Sequence, residues 1–229
     1  LSIIIPCYNE VNYIEKVIDS INLQKIENKE IIVVADASTD GTKEKLIQLK
    51  EKNKIDILIF HEINLGKGGA LRTALKKTSG EIILIQDADL EYNPKDYPKL
   101  IKPILEGDAD VVYGSRFLGG DDAHRVLYFW NRVANALLTT FANILVDMNL
   151  TDMETGFKAF KKKALDGIKI EENRFGFEPE ITAKIAKKDI RIYEVGIKYF
   201  GRKYSEGKKI TWKYGFRAIY CIIYYNLLN

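Results

Sequence analysis

The stretch QDADLEYNP at 86–94 follows the apolar run EIILI at 81–85. That run reads as a buried strand, so Asp87 and Asp89 stand one residue apart at its carboxyl end. Ligands of open parallel sheets collect beyond the carboxyl ends of the strands, and paired carboxylates there suit a hard divalent cation that also holds a diphosphate. A short Asp-x-Asp is common, and most are solvated turn residues that cap a strand or open a helix. Three neighbours favour the metal reading here. A strand precedes it, Asn93-Pro94 opens a helix behind it, and a second acidic turn, ADASTDGT at 35–42, follows the apolar run EIIVV at 30–34. The two acidic loops then share one sheet edge.

Outward from this stretch, short apolar strands alternate with amphipathic helices. Strands are predicted at 2–5, 30–34, 55–60, 81–86 and 110–113, with helices starting near Glu10, Asp40, Gly66 and Pro94. The order predicts an α/β fold: a Rossmann-like, mostly parallel sheet flanked by helices on both faces. Pro6 to Asn9, Asp36, Asp87 and Asp89 all fall at the carboxyl ends of strands and converge on one crevice.

With 229 residues and 46% hydrophobic content the chain can bury a substantial core, and nothing in it reads as a linker or a repeat. One domain is expected over 1–229, with a nucleotide-binding half at 1–115, an acceptor half at 116–210 and an amphipathic helix at 211–229. The charge of +3, from 35 basic and 32 acidic residues, gives no global field for nucleic acid. Cys7 and Cys221 lack CxxC spacing and have only two histidines to draw on, so reduced core thiols are expected and a zinc site is not. No signal peptide is visible before the first strand. The longest uncharged run in the middle, 133–146, falls short of the roughly 20 residues a spanning helix needs. A cytoplasmic chain, not integral to the membrane, is expected.

The glycine-rich NLGKGGALR at 64–72 matches neither GxxxxGK[ST] nor GxGxxG. Its plain reading is a turn that opens a helix; backbone amides there, with Lys67 beside them, can still face an anion.

Taken in order, IIIPCYNE at 3–10, VVADASTDGT at 33–42, NLGKGGALRTAL at 64–75, QDADLEYNPKDYP at 86–98, VVYGSRF at 111–117, TDMETGFKAF at 151–160, FGFEPEI at 175–181 and GRKYSEGKKI at 201–210 resemble the family 2 inverting glycosyltransferases of GT-A fold. Within them the likeness is to the polyprenyl (dolichyl) phosphate sugar transferases, and it covers nearly the whole chain. The resemblance implies a nucleotide-diphosphate sugar donor held by Pro6, Tyr8, Glu10, Asp36, Asp87 and Lys208, to which the glycine-rich helix start adds Lys67. It places a metal, Mg2+ or Mn2+, on Asp87 and Asp89 with Glu91 as a third ligand, and catalytic roles on Asp89, Arg116 and Arg202. Arg116 and Arg132 are its candidates for the acceptor; Arg125, flanking a long apolar helix, and Asp152 and Glu154 join them as acceptor candidates from the residues themselves. Ala35-Asp36-Ala37-Ser38 departs from the family's usual Asp-Asp-Gly-Ser or Asn-Asp-Gly-Ser, which implies altered nucleotide preference or affinity. The lipid-phosphate subgroup often ends in a pair of transmembrane helices, and none is expected here.

A phosphate acceptor is already ionised at neutral pH, its second pKa being about 6, whereas a sugar hydroxyl must lose a proton as it attacks. Asp152 and Glu154 can supply a base for a hydroxyl, or they can cap a short turn with Lys158 as an exposed partner. Glu178 and Glu180, beside Pro179, pose the same question at a helix start. The segment 198–217 carries seven basic residues against one acidic with aromatics interleaved. It is expected to close over the diphosphate and touch an anionic membrane, with 212–228 as an amphipathic helix on the bilayer. A long apolar helix over 125–147 is expected to serve core or dimer packing, or to form a groove for a polyprenyl chain. His61 and His124 are given no catalytic role. The expected activity is metal-dependent, inverting transfer of a hexose to polyprenyl phosphate at the cytosolic membrane face. Transfer to a hydroxyl acceptor, and nucleotide-sugar binding without turnover, remain as alternatives.

Overall fold

The computed structural model describes residues 1–119, 128–202 and 212–228. Seven strands form one sheet: β1 (Ser2–Cys7), β2 (Glu30–Asp36), β3 (Ile57–His61), β4 (Ile82–Ile85), β5 (Val111–Ser115), β6 (Lys158–Lys161) and β7 (Ile192–Gly196). Their order is β3-β2-β1-β4-β6-β5-β7. Only β6 runs against its neighbours β4 and β5; the other pairs are parallel. The helices are α1 (Ile14–Asn22), α2 (Thr42–Glu51), α3 (Gly66–Leu75), α4 (Tyr97–Leu105), α5 (Phe129–Val146), α6 (Phe177–Ala186) and α7 (Trp212–Ile223), the last running into a π-helical turn at Tyr224–Leu228.

Strand residues alternate between two cores because successive side chains leave opposite faces of a pleated sheet. Ile3, Ile5 and Val33 pack with Ile14, Ile18, Leu46, Leu49, Leu100 and Ile104 from α1, α2 and α4. Ile4, Ile32 and Val34 pack on the other face with Leu71, Ala74, Phe177, Ile181 and Ile185 from α3 and α6. A smaller cluster of Ala142, Met153 and Ile222 joins α5 to α7. No helix among the described residues is long and apolar enough to cross a membrane.

The first five strands lie where the sequence puts them to within two residues, but β6 and β7 were not among those expected. β6 hides because its sequence, KAFK, begins with Lys158, which is fully buried and not the exposed partner expected of it. Its ammonium donates to the carbonyls of Met153 and Thr155 and lies 4.5 Å from the centre of the Tyr113 ring. α5 starts at Phe129; Arg125, His124 and Lys208 lie outside the described residues.

Candidate active site

The loops after β1 and β2 are stitched together by Asn9, whose backbone N–H donates to Ser38 Oγ at 3.0 Å and whose side chain accepts from Thr39 N at 2.8 Å. Pro6 is the last residue but one of β1, Tyr8 is exposed beyond the strand, and Glu10 is buried behind. Asp36 is buried, and both of its carboxylate oxygens hold the start of α3. Oδ1 accepts from Leu65 N at 2.9 Å and contacts His61 Nδ1 at 2.7 Å, while Oδ2 accepts from Gly66 N at 2.7 Å. Asp36, expected to hold the donor, is thus placed as a clamp on the glycine turn.

That turn aims Lys67 at the acidic pair beyond β4. Lys67 Nζ lies 2.8 Å from Asp87 Oδ1 and 2.9 Å from Glu178 Oε1, in the first turn of α6. Burial works against the ammonium, but the two carboxylates override it and hold its pKa above the ordinary value. Gly156 is required beside this pair, since a Cβ there would overlap both Asp87 and Lys67.

Asp89 faces a different cation. Its Oδ2 lies 2.7 Å from Arg202 Nη2, and Arg202 also reaches Glu10 at 3.2 Å and Glu91 at 3.5 Å. The segment after β7 crosses over the acidic loop to put Arg202 there: Arg202 N and the Tyr199 hydroxyl donate to the two Glu91 oxygens at 2.7 and 2.8 Å. Burial, then the nearby Glu91 and Asp87 carboxylates, push the Asp89 carboxyl up to about 7. The crowded acids fit a divalent cation, because charge brought to Asp89 and Asp87 relieves that cost. Among the described residues, however, no three such groups converge on one point. Glu91 is committed to Tyr199 and Arg202, so the expected three-ligand set is not assembled. A hard ion held by one or two carboxylates and completed by substrate phosphates is the arrangement usual for Mg2+.

On the other side of β5, Arg116 makes a two-pronged ion pair with Asp152, at 2.7 Å for both Nε and Nη2, and its backbone N–H donates to the same carboxylate at 3.0 Å. Asp152 is fully buried. The Arg116 and Arg132 guanidiniums both lie against the Phe117 ring, 5.6 and 5.5 Å from its centre. Two cations expected at the acceptor are therefore neighbours. Glu154 sits between this group and Glu178, its carboxyl pushed up to about 8 by burial and by Glu178. Burial lowers Lys158 to about 8.

The structure thus brings Glu10, Asp87, Asp89, Lys67 and Arg202 to one crevice and sets Arg116, Arg132, Asp152 and Glu154 beside it. Sequence reasoning missed the link from Lys67 to Glu178. The signal available was a carboxylate in a helix first turn, which reads equally well as a cap.

The mostly parallel sheet with its single reversed strand, and the acidic crevice at its carboxyl edge, have the arrangement of the GT-A fold. The chain belongs to glycosyl transferase family 2, whose model matches residues 2–168. It is 31% identical over 238 residues to the UDP-N-acetylglucosamine–dolichyl-phosphate N-acetylglucosaminyltransferase of Methanococcus voltae, covering 96% of this chain and 94% of that protein. It is 30% identical over 217 residues to the dolichol-phosphate mannosyltransferase of Pyrococcus furiosus, covering 92% of this chain but only 60% of the length of that relative. Among solved structures, glucosyl-3-phosphoglycerate synthase from Mycobacterium tuberculosis, in complex with Mn2+, UDP and phosphoglyceric acid, superimposes with a TM-score of 0.74. The identity is 20%, with all of this chain and 78% of that one covered, and the likeness is one of fold.

Proposed function

We propose that this enzyme moves a hexose, with inversion, from a nucleoside-diphosphate sugar of the GDP-mannose or UDP-glucose type to a polyprenyl phosphate of the dolichyl class, acting peripherally at the cytosolic face of a membrane. The observation that carries the acceptor is the Arg116–Asp152 pair. Asp152, the carboxylate offered by the sequence as a base, is fully buried and locked onto Arg116. Glu154, raised to about 8, is mostly protonated at neutral pH. An acceptor that needs no base suits such a site, and a phosphate monoester is one.

A divalent ion, Mg2+ or Mn2+, bound through Asp89 and Asp87 would supply charge to oppose that developing on the leaving diphosphate. Lys67 and Arg202 contribute fixed positive charge at the same edge, worth more in a partly dry site than in water. Arg116 and Arg132 orient an incoming phosphate from the side of β5. The relatives' names support this acceptor and the neighbour's bound UDP and Mn2+ support this donor chemistry. Transfer to a small hydroxyl acceptor is the second reading, favoured by the phosphoglyceric acid bound in that neighbour.

Calorimetry with UDP, GDP and their sugars, with and without Mn2+, tests the donor; transfer of radiolabelled sugar into organic-extractable lipid tests the acceptor. Asp89→Ala is expected to cut transfer by about 10³-fold with an unchanged circular dichroism spectrum. Full activity of that variant in a chelator would overturn the reading.

A further inference from the structure

Tyr92 keeps a hydroxyl hydrogen that no neighbour takes. Its oxygen accepts from Gly156 N at 3.0 Å, and the hydroxyl itself donates to no acceptor among the described residues. The residue is 4% exposed. A buried donor without a partner is costly, so it calls for a ligand or an explanation. The ring is fixed in place. Its centre lies 5.2 Å from that of Phe157 and 5.4 Å from that of Tyr199, and its backbone bridges to Tyr199.

The surroundings of this hydroxyl belong to both halves of the site. Gly156, which donates to it, is the glycine at which a Cβ would overlap Asp87 and Lys67 on the diphosphate edge. Tyr199, packed against it, has the Arg116 guanidinium 5.2 Å from its own ring centre. Among the charges that act on the phenol, Arg116 comes first, ahead of Asp87, Asp152 and Lys67. Arg116 spends Nε and Nη2 on Asp152, and its Nη1 makes no hydrogen bond among the described residues. A phosphate taken by Arg116 and moving toward C1 of a sugar on the diphosphate edge therefore comes up to Tyr92. An unspent O–H suits a phosphate oxygen, which accepts hydrogen bonds and carries charge that strengthens them.

We propose that Tyr92 is a catalytic residue that donates a hydrogen bond to the acceptor's phosphate, beside Arg116, as that phosphate attacks C1. No proton is transferred. A phosphate oxygen forms the new bond to C1, the bond from C1 to the diphosphate breaks, and the diphosphate leaves with its electron pair. The assignment rests on the phosphate-acceptor reading given above and deepens it.

The test is Tyr92→Phe, which removes one oxygen and keeps the ring. With polyprenyl phosphate varied at saturating sugar nucleotide and Mn2+, kcat/KM for the acceptor is expected to fall by at least about 10-fold, the worth of a hydrogen bond to a charged group, while calorimetric affinity for the sugar nucleotide stays within about twofold. A second variant separates the lost donor from loosened packing. Para-aminophenylalanine at position 92 puts an N–H where the O–H was, and it should recover most of what Tyr92→Phe loses. Unchanged kcat/KM in Tyr92→Phe, or no recovery with the amine, would overturn the assignment and leave the acceptor reading standing. Donor affinity that falls as far as kcat/KM would overturn it too, because the hydroxyl would then serve the diphosphate or the fold. Wild-type protein that forms no lipid-linked sugar would overturn both.

Discussion

Ala37 holds φ at +56°, in the left-handed region, in the turn after β2. A Cβ there costs roughly 1–2 kcal/mol, and glycine, which the resembling family carries at this position, avoids it at an entropic cost of roughly 0.5–1 kcal/mol. Ala37→Gly is therefore expected to raise stability by roughly 0.5–1 kcal/mol, read as the urea midpoint; a fall would show that the turn is held in some other way. Glu154 and Lys158 carry the second residue-scale prediction. Between the ordinary 4.5 and about 8 the folded protein keeps a proton on Glu154 that the unfolded chain has released, so stability falls as pH rises through that window. Between about 8 and the ordinary 10.5 the unfolded chain keeps the Lys158 proton that the folded protein has lost, and stability rises again. Thermal midpoints should pass through a low near pH 8. Glu154→Gln should match wild type near pH 5 and melt increasingly above it up to pH 8; parallel profiles would sink the argument. Lys158 also marks a limit of legibility. A lysine reads as solvent-facing, and only two carbonyls and an aromatic face, none apparent from its own position, make its burial tolerable.

Among the elements, β1 to β5 were legible because each is a continuous apolar run, the pattern of strands covered on both faces. β6 was not, since it is short, begins with a charge, and inserts between β4 and β5 from a point far later in the chain. Local periodicity carries no information about that insertion. The same reason separates the legible part of the site from the rest. Asp87 and Asp89 announce themselves by following a strand, whereas the Arg116–Asp152 lock joins residues 36 apart and appears only when β5 and the 151–157 turn are packed. The glycine turn of α3 is an element-scale device of this kind. A Cβ at Gly68 would fall on the Glu172 carbonyl, and Gly69 N donates to Asn173 O at 3.0 Å, so the turn fits flush against the 170–174 loop. Gly68→Ala must push that loop away. It is expected to cost about 1–3 kcal/mol and to weaken nucleoside-diphosphate binding, because Lys67 moves with the turn. A variant that loses neither stability nor affinity would show that the fit is not needed.

Across the whole molecule, the 170–174 loop is tied to α7 as well, through Arg217 and Glu172 at 2.5 Å. The glycine turn, the loop and the C-terminal helix thus form one packed series, and α7 leans on α5 through Ile222 and Ala142. Both helices show apolar residues to solvent. On α5, Trp130, Leu137 and Ile144 recur every seven residues and are 76%, 66% and 72% exposed, a stripe about 20 Å long at 1.5 Å per residue. On α7 and the turn beyond it, Phe216, Tyr220, Ile223 and Leu227 repeat at helical spacing and are exposed too. Exposed apolar stripes rimmed by polar residues mark contact surfaces, and the basic composition of segment 198–217 favours an anionic bilayer as the partner. Trp130 reports on this directly. With Trp212 replaced by Phe, Trp130 fluorescence should shift to the blue on adding phosphatidylserine-containing vesicles, with a smaller shift on phosphatidylcholine alone, and high salt should reverse the difference. Leu137→Ser with Ile144→Ser should abolish sedimentation with vesicles while leaving nucleotide affinity intact, since both side chains face solvent. Vesicle binding that survives this double change would move the membrane contact off α5, and an unshifted Trp130 spectrum would remove it from this face altogether.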